Sequence, residues 1–338
     1  MNPPSVAALI PQWGNTDLTV RCVASIRRST YEGPLEIIVF DNGSPDGPGP
    51  IADDPSVRLL RSDSNVGFGA AHAEMAAAAE SELLLLVNND VVLDPDCIGA
   101  LVERFLATPA VGWIVPQYRD FGGRVLEMGG FVGPTGEGWQ LFRNARPPAS
   151  FTRGAFPAHY GSAACALVAR RTFLDHGGFD EAYRPAYYED TDLCMRLRRA
   201  GLDVLVEPTA LCYHHEGSTG GRDVATGIKA YQARHRSFFA QRWRRELRAY
   251  SPPSLSVAVG HALAGAPGAT RILWLAPGLP RADRSARSFS PSSRARSTSH
   301  SLPIAARIPS ERRSTVSLRR GSPPGATPRR STRWAQWN

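Results

Sequence analysis

The stretch LLLLVNNDVVLDPD, residues 83–96, sets four leucines and a valine directly against Asn88, Asn89 and Asp90. Five consecutive apolar residues without helical spacing read as a strand buried on both faces. The three side chains that follow are costly to bury without partners, so they mark where the chain leaves the core. In open parallel α/β sheets, ligands bind outside the carboxyl ends of the strands. This segment therefore predicts both a strand and the edge of a site.

The same pattern recurs on either side. SVAALIPQW (5–13) reads as a short strand, followed by Asn15, Thr16 or Asp17 as N-cap and a helix facing inward through Leu18, Cys22, Val23 and Ile26. LEIIVF (35–40) is a second strand, ending in Asp41-Asn42-Gly43-Ser44, and VRLLRS (57–62) precedes an Ala-rich helix over 69–80. Beyond the central strand, Asp94 as cap and Pro95 as first residue start a helix with Ile98, Leu101, Val102, Phe105 and Leu106 on one side. WIVP (113–116), CALVAR (165–170) and DVLVE (203–207) return to the sheet. A short helix ends at Gly177-Gly178, another runs from Asp190 to Gly201, and a basic, aromatic helix covers 225–249. Residues 118–160, rich in Gly, Pro and aromatics without a period, form an insertion of loops with a hairpin, a common kind of binding surface. The alternation defines an α/β fold: a mostly parallel central sheet with helices on both faces.

The formal net charge of +8 points toward nucleic acid or anionic lipid until its location is considered. From Arg281 onward thirteen arginines face only Asp283 and Glu311, which leaves residues 1–280 mildly acidic. No specific nucleic-acid partner is expected for the folded part. The five cysteines are scattered and odd in number, and they form no C-x-x-C pair, which argues against a disulfide framework or a structural zinc site. The N-terminus lacks a basic region ahead of its apolar stretch, and no uninterrupted apolar run reaches the roughly 18 residues of a spanning helix. The expected location is cytoplasmic, peripheral at the inner face of the membrane.

Three polar blocks carry the chemistry. Asp41-Asn42-Gly43-Ser44 and Asn88-Asn89-Asp90 both sit at strand ends and converge on one edge of the sheet. Each block also suits an ordinary turn. Asp90 fits a hard cation, which one carboxylate holds when a substrate diphosphate supplies the other oxygens. Glu189, Asp190 and Asp192 open a helix, where acidic residues also serve as caps; Tyr187-Tyr188 beside them can shield a carboxylate and keep it basic. In YHHEGST (213–219) at most one of His214 and His215 faces the site, because neighbours on an extended strand point to opposite faces.

In this order DNGS (41–44), NVGFG (65–69), LLLLVNND (83–90), GSAACALVARR (161–171), GGFDE (177–181), YEDTDLCMRLRRAG (188–201) and YHHEGS (213–218) resemble glycosyltransferase family 2. The likeness is to bacterial rhamnosyltransferase-like members with a GT-A fold. It implies that Asp41 and Asn42 bind the donor nucleotide with Asn65, Gly67 and Phe68, and that Asn88-Asn89-Asp90 stands at the family's D-x-D motif. It implies further that Asp90 binds a divalent metal, Mn²⁺ or Mg²⁺, with His214 or His215 beside it. Of the pair Glu189-Asp190, the Asp is the general base. The implied activity is inverting, metal-dependent transfer of a sugar, such as rhamnose, from a UDP- or dTDP-linked donor to a saccharide or lipid-linked acceptor in surface polysaccharide synthesis. Two departures are visible: Ala73 stands where the family commonly has Asn, and Asn88 replaces the first acid of D-x-D.

Residues 1–250 are thus expected to form the transferase domain. RILWLAPGLPRADR (271–284), within a 251–284 linker, resembles the start of a GT-B domain whose continuation never arrives. Residues 285–338, dominated by Ser, Arg and Pro, read as a disordered tail and as a truncated or frame-shifted remnant. The competing function is a non-catalytic scaffold whose Arg-rich tail binds nucleic acid or anionic lipid. A nucleotidyltransferase ranks lower, because PQWGNTD after the first strand carries no Lys or Arg for a pyrophosphate loop.

Overall fold

The computed structural model describes residues 2–152, 154–216 and 230–252, together with Ser254 and Val259. The expected GT-B-like start and the 285–338 tail lie outside the described residues.

Strands β1 (Val6–Gln12), β2 (Leu35–Asn42), β3 (Arg58–Ser62) and β4 (Leu83–Val87) lie parallel in the order β3-β2-β1-β4. All five residues of β4 are buried, as a central strand covered on both faces requires. The short β5 (Val91–Leu93) follows, then β6 (Val111–Arg119). Three short strands, β7 (Val125–Glu127), β8 (Gly130–Val132) and β9 (Gly138–Gln140), and the two-residue β10 (Phe156–Pro157) occupy the expected insertion. There β8 and β9 form the hairpin, while β7 adds to β6. β11 (Cys165–Ala169) inserts antiparallel between β4 and β6, and β12 (Asp203–His214) pairs parallel to β6. The sheet is therefore mostly parallel, with β11 as its internal exception.

The helices α1 (Thr16–Arg27), α2 (Phe68–Ala78), α3 (Cys97–Ala107), α4 (Arg170–Asp175) and α5 (Glu189–Arg199) fall where the periodicity places them. One start differs from expectation. Asp94 does not cap α3; its Oδ1 accepts from the Asp96 amide at 3.3 Å, an Asx turn around Pro95 that delays the helix to Cys97. The basic segment resolves into α6 (Ala230–Arg242) and α7 (Arg244–Leu247).

Candidate active site

The opening stretch ends as its composition requires. After Val87 the chain turns through Asn88 and Asn89, with the Val91 amide donating to Asn88 O at 3.1 Å, and continues as β5. β5 pairs antiparallel with the end of β12, His214 opposite Val91, and the His215 amide donates to Asp90 O at 2.9 Å. This ladder sets His214 Nε2 3.1 Å from Asp90 Oδ1. The two are not aligned for a hydrogen bond, and Asp90 Oδ1 and Asn88 Oδ1 are both buried without a hydrogen-bond partner. His215 points away, its ring edge-on to Phe121, as strand alternation dictates.

Asp90 and His214 open onto a cleft of about 1450 Å³ that also takes in Asn42, Asn65, Gly67, Phe68, Asn88, Asn89, Glu189 and Asp190. Position 190 is thereby brought to the same cavity as position 90. Asp190 Oδ2 accepts from the Ala163 amide at 3.2 Å, and Oδ1 from the Thr191 amide and hydroxyl at 2.6 and 3.1 Å. Desolvation raises its pKa above the ordinary carboxylate value against these hydrogen bonds. Glu189 is pushed much higher, by burial first and by the Asp190 charge second, and its Oε2 has no hydrogen-bond partner. Both carboxylates follow a strained turn: Tyr187 and Tyr188 have φ of 78° and 73°, a region costly for aromatic residues. The turn is held from outside, by the buried His235 ring against the carbonyls of Ala186 and Tyr187 at 3.0 and 3.1 Å, and by the Tyr188 hydroxyl donating to Gly136 O at 2.9 Å.

At the other end of the cleft, Asn42 braces the 65–67 turn. Its Nδ2 donates to Asn65 Oδ1 at 3.2 Å and its Oδ1 accepts from the Val66 amide at 2.7 Å. Gly67, with φ of 91°, lets α2 begin beside Arg184. Asp41 is not part of the cleft wall. It is fully buried, accepts from the Ser44 amide at 3.1 Å, and pairs with Arg61, its register partner on β3, at 3.3 Å. Asp192 is no simple cap either: it is a buried acceptor for Tyr183, Arg196 and Trp243.

Trp13 and Glu127 are among the cleft residues that escape sequence reasoning. Trp13, 45% exposed at the end of β1, offers an aromatic face. The strand-end rule applied to PQW could have found it. Glu127, from the insertion, is buried with its pKa raised to about 7, mainly by desolvation; an acid in an aperiodic segment gave no such signal.

The donor set fits a hard divalent cation only in part. Among the described residues no cluster of three or more His, Cys, Asp and Glu side chains can hold one alone. The orphaned oxygens of Asn88 and Asp90, with His214 Nε2, leave positions that diphosphate oxygens suit. The rest of the lining is mixed, with Glu127, Glu137 and Glu216 against Arg143, Arg184, Arg234 and Arg236.

The mostly parallel sheet, with two carboxylates on one cleft beyond its strand ends, is that of a GT-A glycosyltransferase fold. The fold is shared with GalNAc-T7, solved with UDP, GalNAc and Mn²⁺ (TM-score 0.58, 15% identity, 73% of this chain and 49% of that one). It is also shared with the mannosyltransferase PcManGT from Pyrobaculum calidifontis, solved with GDP-Man and Mn²⁺ (TM-score 0.50, 18% identity, 75% and 66%). The family model for glycosyl transferase family 2 matches residues 8–170. The N-acetylglucosaminyl-diphospho-decaprenol L-rhamnosyltransferase of Mycobacterium tuberculosis (strain ATCC 25618 / H37Rv) is 33% identical over 256 residues, 68% of this chain and 83% of that protein. The uncharacterized protein y4gI of Sinorhizobium fredii (strain NBRC 101917 / NGR234) is 30% identical over 253 residues, 71% of this chain, and the chain spans only 28% of that protein's length. The chain belongs to glycosyltransferase family 2 and is bacterial rhamnosyltransferase-like. Among the described residues no helix is long and apolar enough to cross a membrane.

Proposed function

We propose that this chain transfers a sugar of the rhamnose type, with inversion, from a UDP- or dTDP-linked donor to a hydroxyl of a saccharide or lipid-linked acceptor, working at the inner face of the membrane. The observation that carries this is the shared cleft of Asp90 and Asp190. The nucleotide lies at the end lined by Trp13, Asn42, Asn65, Gly67 and Phe68, with Asp41 one layer deeper against Arg61. Asp190 accepts the proton of the acceptor hydroxyl as that oxygen attacks the anomeric carbon and the bond to the diphosphate breaks. Amide donors fix both of its oxygens, so its direction is set before the acceptor arrives. Its raised pKa makes it a better base than an exposed Asp. Glu189, buried directly beside it, supports the Asp190 environment. Mn²⁺ or Mg²⁺, held by Asp90 and His214 with Asn88 and Asn89 beside them, would neutralise charge on the departing diphosphate.

The test is turnover of UDP- and dTDP-linked sugars with Mn²⁺. Asp190→Asn is expected to lower kcat by about 10²- to 10⁴-fold, the usual weight of a general base, while donor affinity by calorimetry stays at the wild-type value. Asp90→Ala is expected to lose metal-dependent donor binding as well. Full turnover by Asp190→Asn would refute the assignment. Loss of function only on deleting 281–338, with steep salt dependence, would favour the scaffold instead.

A further inference from the structure

We propose that Glu127 is an acceptor-binding residue: it accepts a hydrogen bond from the acceptor hydroxyl adjacent to the one that Asp190 deprotonates, and so selects a saccharide with two neighbouring free hydroxyls. This rests on the transferase function proposed above.

Glu127 and Asp190 come from β7 and α5, far apart in sequence, yet they hang on consecutive amides. The Ser162 amide donates to Glu127 Oε1 at 3.0 Å and the Ala163 amide to Asp190 Oδ2 at 3.2 Å. One short stretch of backbone thus sets both carboxylates side by side on the cleft wall. That backbone is itself pinned, since the Tyr118 hydroxyl donates to Ser162 O at 2.7 Å. On its other oxygen Glu127 accepts from Gln140 Nε2 at 3.0 Å, and Gln140 is held in turn by Arg143 at 2.7 Å. A preformed acid of this kind loses little freedom when a ligand binds.

Energetics identify what is missing. Glu127 is 4% exposed, and among the described residues neither it nor Asp190 has an ion-pair partner. A buried carboxylate without a cation is costly unless donors satisfy it. Each carboxylate oxygen accepts about two hydrogen bonds, and each Glu127 oxygen receives one from the protein. The free capacity belongs to a side chain lining the cleft, where sugar hydroxyls are the donors at hand. Burial, reinforced by the neighbouring Asp190 charge, holds Glu127 at a pKa of about 7. This fits a group that meets neutral hydroxyls better than one that meets a cation. A pyranose whose adjacent hydroxyls reach the two acids presents one oxygen to Asp190 for attack and anchors the other on Glu127.

The experiment uses the full chain with Mn²⁺, dTDP-rhamnose as donor, and N-acetylglucosaminyl-diphospho-decaprenol with its 3-, 4- and 6-deoxy analogues as acceptors, comparing wild type with Glu127→Gln. One deoxy analogue, lacking the reacting hydroxyl, is expected to be inert with both proteins. A second, lacking its neighbour, is expected to lose about tenfold or more in kcat/KM with wild type, the weight of one charge-assisted hydrogen bond. Glu127→Gln is expected to cost a similar factor with the parent acceptor and little further with that analogue, because the two changes remove one contact. Its affinity for UDP with Mn²⁺ by calorimetry is expected to stay at the wild-type value, since the change lies on the acceptor side. Multiplying losses, or nucleotide affinity falling in parallel with transfer, would overturn the inference and leave the proposed function standing. If Glu127→Gln fails to fold, the wild-type series still decides, since indifference to both remaining hydroxyls overturns it. Wild type that transfers to none of the acceptors would overturn the proposed function and this inference together.

Discussion

Replacing Asp192 with alanine removes a carboxylate that is completely buried and shared by three hydrogen-bond donors and the Arg242 guanidinium. Its Oδ1 accepts from the Tyr183 hydroxyl at 3.1 Å and from Trp243 Nε1 at 2.8 Å; its Oδ2 accepts from Arg196 Nε at 2.8 Å, and Arg242 Nε lies 3.4 Å from Oδ1. Through these contacts helix α5, which carries Asp190, is tied to α6 and to Trp243, which is 1% exposed. Breaking a buried pair from one side costs about 3–5 kcal/mol, because the partners remain buried and unpaired. Arg242 keeps Asp180 as a second partner and Arg196 keeps the carbonyls of His176 and Gly178, so the lower part of that range is expected. At about 2–4 °C per kcal/mol for a domain of this size, the melting temperature should fall by roughly 6–12 °C. Asp192→Asn keeps an acceptor for Trp243 and Tyr183 but loses the charge facing Arg196, so it should fall between the two. Thermal melts of the three proteins by circular dichroism at pH 7 provide the measurement. An Asp192→Ala protein melting within about 2 °C of wild type would refute the hub role, since a mere helix cap is worth only about 1 kcal/mol.

Glu189→Gln should stabilise the protein, and more at pH 8 than at pH 5. The folded-state pKa of Glu189 is raised, so the native state binds its proton more tightly than the unfolded chain. Stability is therefore lost as pH rises above the unfolded carboxylate value, and an uncharged isostere escapes that loss. A variant whose melting temperature shifts equally at both pH values would count against the burial argument. His214→Ala should weaken Mn²⁺ binding, measured by calorimetry in the presence of UDP, by at least about tenfold, whereas His215→Ala should leave it unchanged. Equal effects of the two substitutions would place the metal elsewhere.

The strands that read most clearly are those whose sequence pattern and environment agree. LLLLV has no polar face to hide, so length and composition alone placed it at the sheet centre with its polar end at the cleft. The same rule located Asn42 and Asp90, both at strand ends. Asp41, one position earlier on the strand, points the other way, and only the register of β3 reveals Arg61 beside it. Asp192 looked like a cap for a comparable reason: helix position is local information, while Trp243 and Arg242 arrive from residues some fifty positions on.

Glu127 exposes the limit most sharply. In VLE, within a segment that shows no period, β7 buries Val125 and Glu127 and leaves Leu126 half-buried at the cleft. Strand geometry alone gives Val125 and Glu127 the same face, so the periodicity was obeyed and the chemistry was inverted. An acid accepts such a position only where donors meet it, and those donors, the Ser162 amide and Gln140, belong to segments that come together only in the folded chain. Asn88, Asn89 and Asp90 follow the end of a parallel strand and can be read from one line of sequence. Glu127 sits on β7 in the inserted segment, where no repeating geometry ties side-chain type to position, and there the partner groups have to be seen in place.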